Sequence, residues 1–481
     1  KPQLALQFLL ESAILNFVAV LLALTTVFLV LPSFNRFVGQ DLGFHSSQLK
    51  SLLPYLGIML VGASLAAFYP ALILSRFNPI KVLKGIPQAS KGGSLLRRAL
   101  VIGQFVATIA LLIGTLVAYK QIRFLENRPI GADLNRVVAL HGQVLNQVSD
   151  SLVQLNFESL LDELKKSPYT SDVTGVDTYP GDGFAHMSSN IGLTFPDGRT
   201  DEKHIWYNYG ARPEYFNLIG MEFVAGEAFA QTARKSSSSV VINEKMAHFM
   251  GVTDLQGLIG KTIRFFDQDW TVSGVVKDYN HFGLKSPVEP IIIRHAGSTG
   301  NILVKLNKKA ITMDGTARAL DDLNKTWHRV FPLSTYNCTF LDQKFEALFN
   351  EDRKFARAFQ IFTILAISIA SLGLFGLTSY TCIQRRKEIG IRKVNGATIP
   401  QILSLLNTDF IKWVTMAFVI AVPMAWYAMH NWLEGFPYKT SLSWWVFAMA
   451  GLITLIIALL TVSWQSLKAA IANPVEVLRD E

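Results

Sequence analysis

QRRKEIGIRKVNGAT, residues 384–398, stands between two long apolar runs, 356–383 and 410–433. Five cationic side chains fall within the nine residues from Arg385 to Lys393, and the stretch then closes on Gly396-Ala397. Simple anchoring of a membrane helix, or attraction to anionic lipid at about 1 kcal/mol per charge, asks for charge without order. This stretch has order. Arg385, Arg386 and Lys387 come first, at the membrane face. Glu388 and Arg392 are four apart, a helix-stabilising pair. Ile389 and Ile391 add apolar contacts, Gly396 supplies a C-terminal stop, and Pro400 suits the first turn of the next helix. The spacing predicts a short helix between two spans, ordered enough to dock a partner.

The surrounding composition supports a membrane setting. The chain has 481 residues, 50% hydrophobic and 17% charged, with a mean hydropathy of +0.30. Soluble domains carry about 25% charge. The net charge of +9 lies largely beside apolar runs, as in membrane proteins, rather than along a basic stripe that nucleic acid would require. A lipid bilayer is therefore the expected surroundings, with no nucleic-acid partner. The two cysteines, Cys338 and Cys382, flank one apolar run. If that run crosses a bilayer, no disulfide can join them.

Six runs are long enough to cross about 30 Å of hydrocarbon: residues 12–32, 52–74, 99–119, 356–383, 410–433 and 441–466. Residues 75–98 carry Arg76, Lys81, Lys84, Lys91, Arg97 and Arg98 with no acid, and 384–409 is also rich in cations. The positive-inside rule places both loops in the cytoplasm. Two spans separate them, so the assignments agree. Residues 120–355 are then extracytoplasmic, with the loops 33–51 and 434–440, and the C-terminus is cytoplasmic.

An internal repeat fits this layout. KPQLALQFLLES (1–12) lies over IPQILSLLNTDF (399–410) without a gap, matching Pro2 to Pro400, Gln3 to Gln401 and Glu11 to Asp409. RFNPIKVLKG (76–85) and IANPVEVLRD (471–480) end the two copies alike. The second copy is complete, and the first is present only as its last two spans. The expectation is a longer protein that continues N-terminally, with eight spans in all.

The outer region reads as α+β. RVVAL (136–140), a helical FESLLDELKK (157–166) and VTGVDT (173–178) form one βαβ-like half. NILVKL (301–306), a helix over 317–331 and STYNCTFL (334–341) form another. These halves are expected to make one lobe, and the β-rich middle a second. AYKQIRFLEN (118–127) and LDQKFEALFNEDRKFARAF (341–359) read as helical stalks, since neither is Gly/Ser-rich like a flexible linker.

Catalytic signatures are weak. Gly257-Leu-Ile-Gly260-Lys261-Thr262 resembles a phosphate loop, but Leu255 stands where the first glycine belongs. The nine histidines show no His-Glu-x-x-His spacing and no cluster with cysteine. No Gly-x-Ser-x-Gly elbow occurs. Asp177 and Asp182, near Gly181 and Gly183, read as turn residues. No catalytic, cofactor or metal site is therefore expected. The span middles hold few polar groups, unlike an ion-coupled carrier. Thr363, Ala366, Ala370 and Gly373 share one helical face, which suits close helix packing.

With these residues in view, Arg385-Arg-Lys-Glu-Ile-Gly-Ile-Arg-Lys-Val-Asn-Gly-Ala397 resembles the signature of the MacB/FtsX family of ABC-transporter permeases. LRRALVIGQF (96–105), VVINEKMAHFMG (240–251), LIGKTI (258–263), VSGVVKDYNHFGLKSPVEP (272–290) and NPVEVLRDE (473–481) are similar to other parts of that family. The resemblance is to the long form with two fused repeats. It implies an α-helical transmembrane bundle plus an α+β extracytoplasmic domain of two lobes, like the MacB periplasmic core. The implied layout is as follows: 1–85, the last two spans of a first FtsX-like repeat; 86–128, a linker, span and stalk; 129–340, the outer domain; 341–481, a stalk and second FtsX-like domain. Within the last, 384–397 would be a coupling helix using Arg385, Arg386, Lys387, Glu388, Ile389, Gly390, Arg392, Lys393, Gly396 and Ala397.

The implied partner is a separate ATP-binding subunit that holds ATP and Mg and drives the outer domain, a process called mechanotransmission. A second coupling helix is expected from the preceding repeat or from a second permease copy. A periplasmic adaptor or a cell-wall hydrolase is a further expected partner. Two functions fit in the inner membrane: export or extraction of a peptide, antimicrobial, lipid-linked or lipoprotein substrate, and signalling to a periplasmic hydrolase without transport.

Overall fold

The computed structural model describes residues 2–38, 54, 57, 91–142, 145, 151–184, 187–229, 238–296 and 300–471. Among these, five helices contain stretches long and apolar enough to cross a bilayer: Ala13–Arg36, Leu95–Glu126, Asn350–Gln384, Ile399–Glu434 and Trp444–Lys468. Apart from Pro54 and Gly57, the expected span at 52–74 lies outside the described residues, as do the matched end at 76–85 and all but Ile471 of the matched end at 471–480. Helices suit such segments because they satisfy every backbone polar group internally where no water is available. The two helices whose first residues align in sequence are nearly equal in length, 37 residues for Pro2–Val38 and 36 for Ile399–Glu434.

The chain divides into two compact units. One draws on Lys1–Thr108, Leu365–Phe418 and Leu455–Glu481. Here Thr108 Oγ1 donates to the Ala366 carbonyl at 3.4 Å. Ala370 is buried, and a Cβ on Gly373 would lie 2.9 Å from Gln104 Oε1. Small side chains thus let this helix approach its neighbour closely. Gln465 Nε2 donates to Ser379 Oγ at 2.7 Å, and Asn407 Nδ2 to Ser463 Oγ at 3.0 Å.

The other unit comprises Ile109–Ile364 and Val419–Thr454. Its membrane-proximal part includes a 2.8 Å hydrogen bond between the hydroxyls of Thr115 and Thr363. Its outer domain is built on one 13-stranded sheet. At one end the strands run 337–340, 137–141, 301–306, 170–176, each antiparallel to the next. The two expected βαβ-like halves therefore interleave: 137–141 and 170–176 flank 301–306, and 301–306 and 337–340 flank 137–141. The helices Ser151–Lys165 and Met313–Val330 cover this end through Phe157, Leu161, Leu323 and Trp327.

The β-rich middle continues the same sheet. It joins through a single residue pair, Val176 with Ala211. Beyond that pair it adds the parallel neighbours 206–211 with 291–295 and 239–243 with 268–276. A separate core of Trp206, Val240, Met246, Phe265 and Trp270 fills this lobe. A third core spans the join and includes Val176, Tyr209, Tyr279 and Leu303. That core also takes in Leu125 of the first stalk and Phe345 and Phe349 of the second.

The stalks differ from each other. The first is uninterrupted, because Lys91–Glu126 is one helix. The second breaks: Leu341–Ala347 ends before Asn350–Gln384 begins. Glu126 and Arg353 pair across the stalk roots at 2.8 Å.

Candidate functional site

The basic stretch forms a helix, Arg386–Val394, separated from Asn350–Gln384 by a break at Arg385. Its C-terminal end is set by Gly396, whose φ of +89° suits glycine best. Gly396 N–H donates to the Lys393 carbonyl at 3.1 Å, and Ala397 N–H to the Arg392 carbonyl at 3.0 Å. This pair of bonds satisfies carbonyls that the helix itself leaves open. Thr398 then caps the next helix, Ile399–Glu434, and its N–H donates to Gln401 Oε1 at 2.9 Å, half of a capping box.

The helix has two faces. Ile389 is buried against Cys382, Ile402, Leu406 and Ala470, and Gly390 is buried beside it. Lys393 Nζ donates to the Ala470 carbonyl at 2.8 Å, placing a cation at the C-terminal end of Trp444–Ile471. Arg385 reaches Asp409 at 3.4 Å. These residues hold the helix in place. Ile389 and Gly390 therefore position the helix and do not present a docking surface.

The opposite face is open. Glu388 and Arg392 pair at 2.8 Å with both side chains about half exposed, so the bond adds only a few tenths of a kcal/mol. Ile391 is 53% exposed and Val394 is 64% exposed. Arg386 is exposed on the same helix, and Lys387 lies in its first turn. Ile391 and Val394 thus form a small exposed apolar pair with charged neighbours. Ile389 and Ile391, expected from the sequence to act together as apolar contacts, face different ways, and Val394 joins Ile391 instead. Counting 3.6 residues per turn from a start at Arg386 separates them, because residues 389 and 391 lie about 200° apart.

The remaining candidates have structural roles. Gly257–Thr262 runs from a 3-10 turn, Gln256–Leu258, into the strand Thr262–Phe265. Asp177 accepts the Gly210 N–H at 2.7 Å, and burial pushes its carboxyl up. Asp182 pairs with Lys344 at 2.6 Å. Both line a cavity of about 860 Å³ with Tyr179, His328 and Tyr336. Cys338 and Cys382 are free thiols. Among the described residues, no group of three or more His, Cys, Asp or Glu is placed to hold a metal ion.

One buried group missed in the sequence is His281. It sits among the rings of Tyr209, Tyr279 and Phe282, and its Nε2 lies 3.4 Å from Thr178 Oγ1. Burial drives its pKa down to about 3, with Asp182 opposing weakly. The folded domain therefore keeps the ring neutral. As pH falls through about 6.5 the unfolded chain takes up this proton and the folded chain does not. Stability contributed by this site should drop by about 2 kcal/mol between pH 7.5 and 5. Asp177, Asp278 and Glu289 have raised carboxyls and act with the opposite sign. Urea unfolding of the protein and His281→Gln at both pH values isolates the histidine, because the carboxylates cancel in the difference.

Residues 360–474 match the FtsX-like permease C-terminal family. Residues 99–323 match the MacB-like periplasmic core domain. The chain is 28% identical over 204 residues to the macrolide export ATP-binding/permease protein MacB of Neisseria meningitidis serogroup A, covering 40% of this chain and 31% of that one. It is 23% identical over 198 residues to the MacB of Aggregatibacter actinomycetemcomitans, covering 39% and 30%. The matched region spans about a third of the length of these relatives. Among solved structures, the periplasmic region of MacB from Actinobacillus actinomycetemcomitans aligns at TM-score 0.32 and 18% identity, covering 47% of this chain and 97% of that one.

Proposed function

Since this chain belongs to the MacB/FtsX family of ABC-transporter permeases, we propose that it couples ATP hydrolysis on a separate ATP-binding subunit to movement of its outer domain. ATP and Mg would reside on that subunit. The observation that carries the reading is the open face of Arg386–Val394, with Ile391 and Val394 outward while Ile389 and Lys393 fix the other side. A docked subunit would bury the isoleucine and valine and complement Glu388, Arg386 and Arg392. The second coupling helix would come from a preceding repeat or a second permease copy. A periplasmic adaptor is a further proposed partner. The cargo class we propose is a peptide, antimicrobial, lipid-linked or lipoprotein substrate, moved from the inner membrane.

Support comes from the family match over both the membrane and the outer segments. The spans' few polar side chains agree, because force on an outer domain needs no solute path through them. The test is affinity purification of the full protein with its ATP-binding partner. Glu388→Arg should weaken co-purification about tenfold or more, since it places like charges beside Arg392 and at any acid-seeking contact. Equal recovery of the ATPase with the variant, or no ATPase with the natural protein, overturns the proposal.

A further inference from the structure

The nine residues 435–443 join Ile399–Glu434 to Trp444–Ile471, and a loop so short needs no anchor to make its turn. It is nevertheless fastened at several points. Gln121, on the first stalk, is fully buried at 0% exposure. Its Nε2 donates to the Tyr438 carbonyl at 2.7 Å, and its Oε1 accepts the Thr440 N–H at 2.8 Å. A carbonyl can only accept and an N–H can only donate, so the partners fix the amide's orientation. Next to it, Lys120 Nζ donates to the Ser441 carbonyl and to Ser443 Oγ, each at 2.8 Å. Buried amides bonded to a loop's backbone hold it as a strand neighbour would.

The same loop grips the outer domain. The Tyr438 hydroxyl donates to Asn280 Oδ1 at 3.0 Å. The Arg128 guanidinium stacks over its ring, 3.9 Å from the centroid. Phe436 and Tyr438 pack against the core that contains Tyr279, Phe282, Phe345 and Phe349. Asn280 is tied in turn to the stalk–domain connection, since its N–H donates to the Ile130 carbonyl at 2.8 Å.

We infer that residues 435–443 form a strap, with Gln121 and Tyr438 as its positioning residues, that makes the last two spans a third route of force to the outer domain beside the two stalks. This rests on the proposed ATP-driven movement and specifies which elements carry it. The strap and the domain base then move as one body. Without it, the last two spans would slide past the domain and only the stalks would act.

The experiment uses the full protein in nanodiscs with its ATP-binding partner, comparing it with Gln121→Ala and the milder Tyr438→Phe. Hydrogen exchange at the Thr440 amide reports the strap itself. Spin labels at exposed Glu202 and Lys439 report whether domain and loop move together. In the natural protein, Thr440 should be protected and the label distance should be unchanged by ATP. In Gln121→Ala, protection should fall about tenfold or more, the distance should vary with ATP, and ATP-driven work should drop while ATPase activity and melting temperature persist. Tyr438→Phe retains the ring under Arg128 and should show the same pattern to a smaller degree. An ATP-dependent distance in the natural protein overturns the inference. So does unchanged work in Gln121→Ala once Thr440 protection is lost. A natural protein that performs no ATP-driven work overturns the parent reading and this one together, while Thr440 protection still distinguishes a closed strap from an open one.

Discussion

Replacing Gly390 with proline is expected to abolish ATP-driven work while leaving the protein in the membrane. Gly390 lies in the middle of Arg386–Val394, on the buried face beside Ile389. Proline there removes a backbone donor and drives its ring into the preceding turn, at a cost of about 3 kcal/mol or more. The helix has nine residues and little intrinsic stability to offset that cost. Its anchors would go with it: the Ile389 contacts, the Lys393 bond to Ala470 and the glycine-terminated end at Gly396. The outward pair, Ile391 and Val394, would lose its fixed geometry. A shift of this size lowers the formed population roughly a hundredfold. The long apolar helices should still insert, because their own apolar length determines that. Transport or signalling output, normalised to protein in the membrane fraction, checks the outcome. Full output from the proline variant would remove the helix from the mechanism.

The second large effect is expected at the root of the first stalk. Gly131 has a φ of +87°, and a Cβ there would lie 2.8 Å from the Asp278 carbonyl oxygen and 2.9 Å from Tyr279 Cα. Those are backbone atoms and cannot rotate away. Around Gly131, Ile130 accepts from the Asn280 N–H, and the Asp133 N–H donates to Ile219. Gly131→Ala should therefore destabilise the outer domain by about 2–5 kcal/mol, from left-handed strain plus overpacking. The melting temperature should fall by about 10 °C. Gly183 has a similar φ of +80° but open space around its Cβ. Gly183→Ala should lose only the conformational part, about 1–2 kcal/mol. Calorimetry on both variants separates strain from collision. Equal shifts would show that the close approach at Gly131 contributes nothing.

The sequence exposed some features of this protein more readily than others. The five described spans were legible because a bilayer imposes length and apolarity locally, residue by residue. The helix after Arg385 was legible because its charge pair, glycine stop and following proline all act within one or two turns. The interleaving of 137–141 with 301–306 was not legible. Two strands separated by the whole β-rich middle carry no mark of their pairing in either segment. The break at 348–349 was also missed, since Leu348 and Phe349 continue the helical pattern and only packing into the third core turns the chain there.

Tertiary structure alone decided which side of Arg386–Val394 is free. Period and charge predict a helix, but its rotation depends on Ile402, Leu406 and Ala470, which arrive from distant parts of the chain. The same holds for Gln121, an ordinary polar residue in a stalk until Tyr438 and Thr440 approach it, and for His281, whose proton affinity reflects the rings packed around it. Local rules fix what each segment is, because backbone sterics and burial act at short range. What each side chain faces depends on contacts between segments far apart in sequence, and those form only when the chain folds.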